Sequence, residues 1–221
     1  MACFHGAALA TAGSLLVLGD SLSAAYGMPL EQGWVALLEQ RLAVRCPGLA
    51  VVNASISGET SAGGVRRLPA LLEQHRPRLV LIELGGNDGL RGQPLTALRS
   101  SLSTLITQSR AQGAEVVLVG MRIPPNYGRP YAEGFHALYQ ELAAEHEVAL
   151  VPFFLAGVAG EEGMMQGDGI HPTAAAQPRL LDTLWPVLEP LLESSGCSAR
   201  GAVSIPSVGP PAGASPAAGD P

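Results

Sequence analysis

The chain contains no lysine: all thirteen of its basic Lys/Arg positions are arginine. That absence removes whole mechanisms. A Walker phosphate loop needs a lysine for the phosphates, and a pyridoxal enzyme holds its cofactor on one. A phosphate-accepting receiver domain would also place one at a strand end. Cysteine is scarce as well. Cys3, Cys46 and Cys197 are odd in number and far apart, which indicates neither a disulfide framework nor a zinc cluster, and Cys46 reads as a bystander. Aromatic residues make up only 5% and the net charge is −6, so a basic field and stacking platforms for nucleic acid are both missing. No apolar run reaches the ~18 residues of a spanning helix, and no stable membrane insertion is expected.

What is present is a globular body: 47% of the 221 residues are hydrophobic and 14% charged, enough for one domain with a full core. The ends differ from it. "MACFHGAALATAG" (1–13) is small and apolar without a basic start, yet Ala8-Leu9-Ala10 fits the pattern before a signal-peptidase cut. It reads as a leader remnant or a flexible N-terminus, so a periplasmic or secreted protein is expected, with a cytoplasmic one as the alternative. Residues 194–221 hold 22 Ser, Gly, Pro or Ala out of 28. Such a segment cannot repay its ordering entropy by burial and is expected to be a disordered tail. The domain is expected at 14–193.

Within it, short continuous apolar runs alternate with helical spacing. "SLLVLG" (14–19), "LAVVN" (49–53), "RLVLIELG" (78–85), "AEVVLVG" (114–120) and "VALVPF" (148–153) look like strands buried on both faces. Between them, apolar residues recur at helical spacing, as in Trp34, Leu37, Leu38 and Leu42 or Leu95, Leu98, Leu102, Leu105 and Ile106. Leu180, Leu181, Leu184, Leu188 and Leu191 follow the fifth strand, where Pro178, Pro186 and Pro190 predict a kinked or broken helix. The result is an α/β fold with three layers, α/β/α, around a five-stranded parallel sheet.

In such sheets ligands bind beyond the carboxyl ends of the strands. There this chain places Gly19-Asp20-Ser21-Leu22, Asn53-Ala54-Ser55-Ile56-Ser57-Gly58, Gly85-Gly86-Asn87-Asp88, Arg122-Ile123-Pro124-Pro125-Asn126-Tyr127 and Asp168-Gly169-Ile170-His171-Pro172. A serine hydroxyl becomes a nucleophile when a histidine takes its proton and a third group fixes the tautomer. Asp168 and His171, three apart, can bring a carboxylate to Nδ1 and leave Nε2 for Ser21 at the start of a helix. The Ser21 N–H, the Gly58 N–H and the Asn87 amide could then donate to an oxyanion. Each block alone also has a plain reading: a cap at Ser21, a tight turn at Asn87, and a capping acid beside a bystander histidine at Asp168 and His171. No further His or Cys cluster supports a metal. His5, His75, His136 and His146 read as surface or packing residues. Leu22, Tyr26, Leu90, Ile123 and Pro124 are candidates for an apolar acyl groove. So are Pro125, Tyr127, Phe154, Met164 and Met165.

Taken together, "GDSL" at Ser21, "NASISGETSAGG" at Gly58, "LGGND" at Asn87 and "DGIHP" at His171 resemble the four blocks of the SGNH hydrolases, the lipase and esterase family with a Gly-Asp-Ser-Leu nucleophile block. The resemblance spans residues 14–192 and is closer to the bacterial multifunctional thioesterase I, lysophospholipase and arylesterase group. It implies a flavodoxin-like sheet of order 2-1-3-4-5, a triad of Ser21, Asp168 and His171, and oxyanion donors from Ser21, Gly58 and Asn87. It also implies a mobile loop at Gly89-Leu90-Arg91-Gly92-Gln93-Pro94, small-molecule acyl ester or thioester substrates, and no cofactor. The rivals are a carbohydrate O-deacetylase of the same fold and a non-catalytic flavodoxin-like binding module.

Overall fold

The computed structural model describes residues 13–197. Five strands, β1 (Ser14–Gly19), β2 (Ala50–Asn53), β3 (Pro77–Glu83), β4 (Glu115–Val119) and β5 (Ala149–Val151), form one parallel sheet in the order β2-β1-β3-β4-β5. The expected class and strand order are both present. Helix α1 (Trp34–Arg45) packs with α6 (Gln177–Ser194), while α2 (Ser61–His75), α4 (Leu95–Ala111) and α5 (Arg129–His146) pack in series. Because helices cover both faces, all of β1 and nearly all of β3 are buried, which is why their sequences run apolar without alternation. The helices supply apolar stripes to the same core, for example Trp34, Leu38 and Leu42 of α1, all fully buried.

The strand order sets the place of the site. From β1 the chain leaves to β2 on one side, then returns to β3 on the other, so the turns after β1 and β3 diverge and open a crevice between them. Ser21 and Asn87 stand on those two turns. A short helix, α3 (Gly86–Leu90), starts within the second of them, where sequence alone shows only a tight turn.

Four expectations are corrected. Residues 21–27 form successive turns rather than a helix: Ala25, at φ 55, breaks any helical run, and the first long helix begins only at Trp34. Helix α6 runs unbroken from Gln177 to Ser194 despite its prolines. Pro178 sits in the first turn, where no intrahelical N–H is needed. Pro186 and Pro190 are exposed, as is Asp182 four residues before Pro186, so the carbonyls they leave free face water. Third, Cys46 is not a bystander. It ends α1, Cys197 follows α6, and their sulfurs are bonded with Cα atoms 5.2 Å apart, within the usual span of a disulfide. Last, the expected tail boundary at 194 moves outward, since α6 and the Cys197 link carry the described chain to 197. The leader-like stretch to residue 12 and the tail from 198 lie outside the described residues.

The two ends of the described chain meet at the amino-terminal edge of the sheet. Arg78, in β3, donates from Nη1 to the Ser195 carbonyl at 3.3 Å. Gly13 lies against the Arg78 side chain, which a Cβ there would approach to 3.2 Å. Among the described residues no helix is long and apolar enough to cross a membrane.

Candidate active site

Ser21 lies two residues beyond the end of β1, and its Oγ is 2.9 Å from His171 Nε2. The other ring nitrogen, Nδ1, is 2.6 Å from Asp168 Oδ2. Asp168 Oδ1 accepts from the backbone N–H of His171 at 3.0 Å and of Ile170 at 2.9 Å. The His171 N–H, its ring N–H and the Ile170 N–H together hold the Asp168 carboxyl well below the usual carboxylate range. It therefore stays ionised and keeps the proton of His171 on Nδ1, which leaves Nε2 as the acceptor facing the serine.

Asn87 reaches the same place from the other side of the crevice. Its Nδ2 donates to Asp20 Oδ2 at 3.0 Å, and Asp20 Oδ1 accepts the Leu22 N–H at 3.0 Å. Behind Asp20 stands Glu83, the last residue of β3 and fully buried. Its Oε2 accepts from the Asp20 N–H at 3.2 Å and from Ser23 Oγ at 2.7 Å, while Oε1 has no hydrogen-bond partner among the described residues. A charged carboxylate so placed would be costly. Burial, aided by the nearby Asp20, pushes Glu83 well above its ordinary value, and burial pushes Asp20 from 3.8 up to about 6. The turn that presents Ser21 thus rests on an acid that keeps its proton to higher pH than an ordinary carboxyl.

Glycine at 85 is required by packing. The Tyr139 hydroxyl donates to the Leu84 carbonyl at 2.9 Å. Any Cβ at Gly85, whose φ is +114, would collide with that hydroxyl. One residue past Asn87, buried Asp88 accepts from Ser61 N at 2.9 Å and Ser61 Oγ at 2.6 Å. It thereby pins the turn to the N-terminus of α2, where a negative charge is favoured.

Ser21, Asn87, His171 and Asp20 line one end of a cavity of about 400 Å³. Of the expected groove residues, Leu22, Leu90, Ile123, Pro124 and Met165 line it. Four others stand elsewhere. Phe154 is fully buried and packs edge-on against Trp34, with centroids 5.4 Å apart. Phe153, its neighbour, lines the cavity in its place. Met164 and Met165 both pack against the core, but only Met165 lines the cavity. Tyr127 turns its hydroxyl to the Leu90 carbonyl at 2.9 Å, and Tyr26 stacks on His171. The Pro125 side chain lies outside the described ones. Met121, Arg122, Leu155, Ala159 and Ile170 also line it; Arg122 and Ile170 stand in the blocks already singled out in the sequence, whereas nothing there marks Leu155 or Ala159. Gly58 does not line the cavity; its carbonyl accepts from Arg91 Nη2 at 3.0 Å, which ties its loop to the segment after α3.

The arrangement has the parts of acyl transfer: a hydroxyl, a base oriented by a carboxylate, an uncharged amide donor and an apolar recess. Residues 17–178 match the model of the GDSL-like Lipase/Acylhydrolase family. The chain is 58% identical over 183 residues to the protein named Esterase TesA of Pseudomonas aeruginosa, covering 83% of this chain and 91% of that one. It is 49% identical, over 83% of this chain and 86% of the other, to the Thioesterase 1/protease 1/lysophospholipase L1 of Escherichia coli K12. Among solved structures it resembles the psychrotrophic esterase EstA from Pseudoalteromonas, inhibited by monoethylphosphonate, with a TM-score of 0.78 and 42% identity over 82% of this chain and 99% of that one.

Proposed function

Because the chain belongs to the GDSL-like lipase/acylhydrolase family, we propose that it hydrolyses carboxylic esters and thioesters through an acyl-enzyme on Ser21. The observation that carries this reading is the relay from Ser21 Oγ through His171 to Asp168, with contacts of 2.9 and 2.6 Å. Ser21 Oγ attacks the acyl carbonyl while Nε2 of His171 takes its proton. The ring, now an imidazolium, is stabilised by Asp168. Asn87, with one amide hydrogen on Asp20, offers the other to the oxyanion, joined by the backbone N–H group of Ser21. Collapse of the tetrahedral intermediate breaks the bond to the alcohol or thiol, which leaves with the proton from Nε2. Water then enters, giving a proton to Nε2 as it attacks the acyl-enzyme; the bond to Ser21 Oγ breaks, Nε2 returns that proton to the serine oxygen, and the carboxylic acid departs.

The walls away from Ser21 are mostly apolar, with Met121, Ile123, Phe153, Leu155 and Met165 among them. They suit an acyl chain and offer few polar partners to a sugar, which favours aryl esters, acyl thioesters and lysophospholipids over acetylated carbohydrate. A chain-length series of aryl esters beside the matching acyl-CoA thioesters, run on wild type and Ser21→Ala, tests the reading. Turnover of both classes that vanishes in the variant is expected; esterase activity surviving Ser21→Ala would refute the acyl-enzyme. The same proposal places the protein in the periplasm or outside the cell, where a Cys46–Cys197 bond persists. Alkylation of thiols in protein taken from growing cells should then leave both cysteines unmodified, and free thiols at both would count against export.

A further inference from the structure

The segment that carries the base gains little from burial. Residues 161–163 and 167–170 are exposed. The chain from 164 to 173 closes mainly on itself, through the Met165–Pro172 bridge, the Gln166 N–H to His171 carbonyl bond of 2.7 Å and the Thr173 N–H to Met164 carbonyl bond of 2.8 Å. None of these fixes it against the turn that carries Ser21. Yet proton transfer needs the hydroxyl and the imidazole in register to within a few tenths of an ångström.

Among the described residues, an aromatic contact and a side-chain hydrogen bond cross that joint beside the Ser21–His171 bond itself. The Tyr26 ring lies on the His171 ring with centroids 4.2 Å apart and planes inclined at 31°. The Gln166 side chain donates from Nε2 to the Tyr26 carbonyl at 2.8 Å and to the Pro172 carbonyl at 3.0 Å, so one amide grips both segments. Gly27 makes room for it: a Cβ there would fall against Gln166 Oε1. Tyr26 is 49% exposed and does not line the cavity. Neither core packing nor substrate contact accounts for where its ring lies.

We propose that Tyr26 is a positioning residue for His171, holding the imidazole between Asp168 and Ser21, with Gln166 anchoring the Tyr26 backbone. The inference rests on the acyl-enzyme reading above. The ring blocks one side of the imidazole and so restricts its rotation. It also presents its π face once the imidazole has taken the serine proton and become a cation. Tyr26 does not line the cavity, so the effect is expected on kcat and not on KM.

Steady-state kinetics on an aryl ester, per active site titrated with a fluorophosphonate, for Tyr26→Leu, Tyr26→Phe and Gln166→Leu, test this. Tyr26→Leu should lower kcat about two- to fivefold with KM unchanged, the scale of an exposed cation–π contact. Tyr26→Phe, which keeps the ring, should retain the wild-type kcat, and Gln166→Leu should lower it in the same direction as Tyr26→Leu. Unchanged kcat in Tyr26→Leu, a rise in KM alone, or equal losses in the Leu and Phe variants would overturn the role of Tyr26 while leaving Ser21 as nucleophile. A wild-type protein that takes no label on Ser21 would overturn the acyl-enzyme and this inference with it.

Discussion

One hydrogen of the Asn87 amide is committed to Asp20 Oδ2 at 3.0 Å; the donor therefore points in a fixed direction before substrate arrives. Such preorganisation makes an oxyanion donor effective, since no reorientation is needed as charge develops. Asn87→Ala should lower kcat on aryl esters by about 10²–10³ with a much smaller change in KM, read from steady-state kinetics. Ser21, Asn87, Asp168 and His171 were legible in the sequence because strand-ending glycines and short motifs mark them. Glu83 was not read, although it was marked too: a lone carboxylate inside the apolar run "RLVLIELG" has to be either neutral or paired. Tyr26 was legible only as a candidate for the acyl groove, which it does not line. Its contact with His171 joins segments 145 residues apart in the chain, and no local pattern encodes that.

Strands and helices were readable from periodicity, and every strand-like run became a strand with its ends moved by a residue or two. The misreadings arose where a solvent-facing backbone tolerates what a buried one would not, as with the exposed Pro186 and Pro190 of α6. Adjacent like residues misled as well, since sequence alone does not tell Phe153, which lines the cavity, from Phe154, which is buried in the core. At this scale Gly120 controls the joint between β4 and β5. Its N–H donates to the Val151 carbonyl at 2.7 Å and its carbonyl accepts from Phe154 N at 2.9 Å. A Cβ there would stand 2.5 Å from the Pro152 oxygen and 2.9 Å from that of Val151. Both obstacles are backbone and cannot swing aside. Gly120→Ala is expected to cost about 1–3 kcal/mol, visible as a lower midpoint in thermal unfolding and as altered kcat, since the adjoining Met121 and Phe153 are displaced.

For the whole molecule, two carboxyls of the site and one of its base segment pull stability in opposite directions with pH. Glu83 and Asp20 are raised in the fold, so above their ordinary values the native state keeps protons that the unfolded chain has released. Their contribution is therefore greatest in acid and is lost as pH rises through the folded values. Asp168 is depressed, and its contribution is present above the ordinary 3.8 and lost as pH falls. Stability should peak in mild acid and decline as pH rises above the ordinary carboxylate range, through about 6 for Asp20 and on through the raised value of Glu83. Glu83→Gln should flatten that decline, as measured by thermal midpoints across the range; an equally steep profile in the variant would show that Glu83 is not its source. A last consequence follows from the meeting of Gly13, Arg78 and Ser195 at the amino-terminal edge. The cavity opens at the opposite edge, so the molecule has a mounting end and a working end. A carrier or fusion partner joined ahead of Gly13 or after Cys197 would attach behind the sheet and leave the mouth of the cavity facing outward.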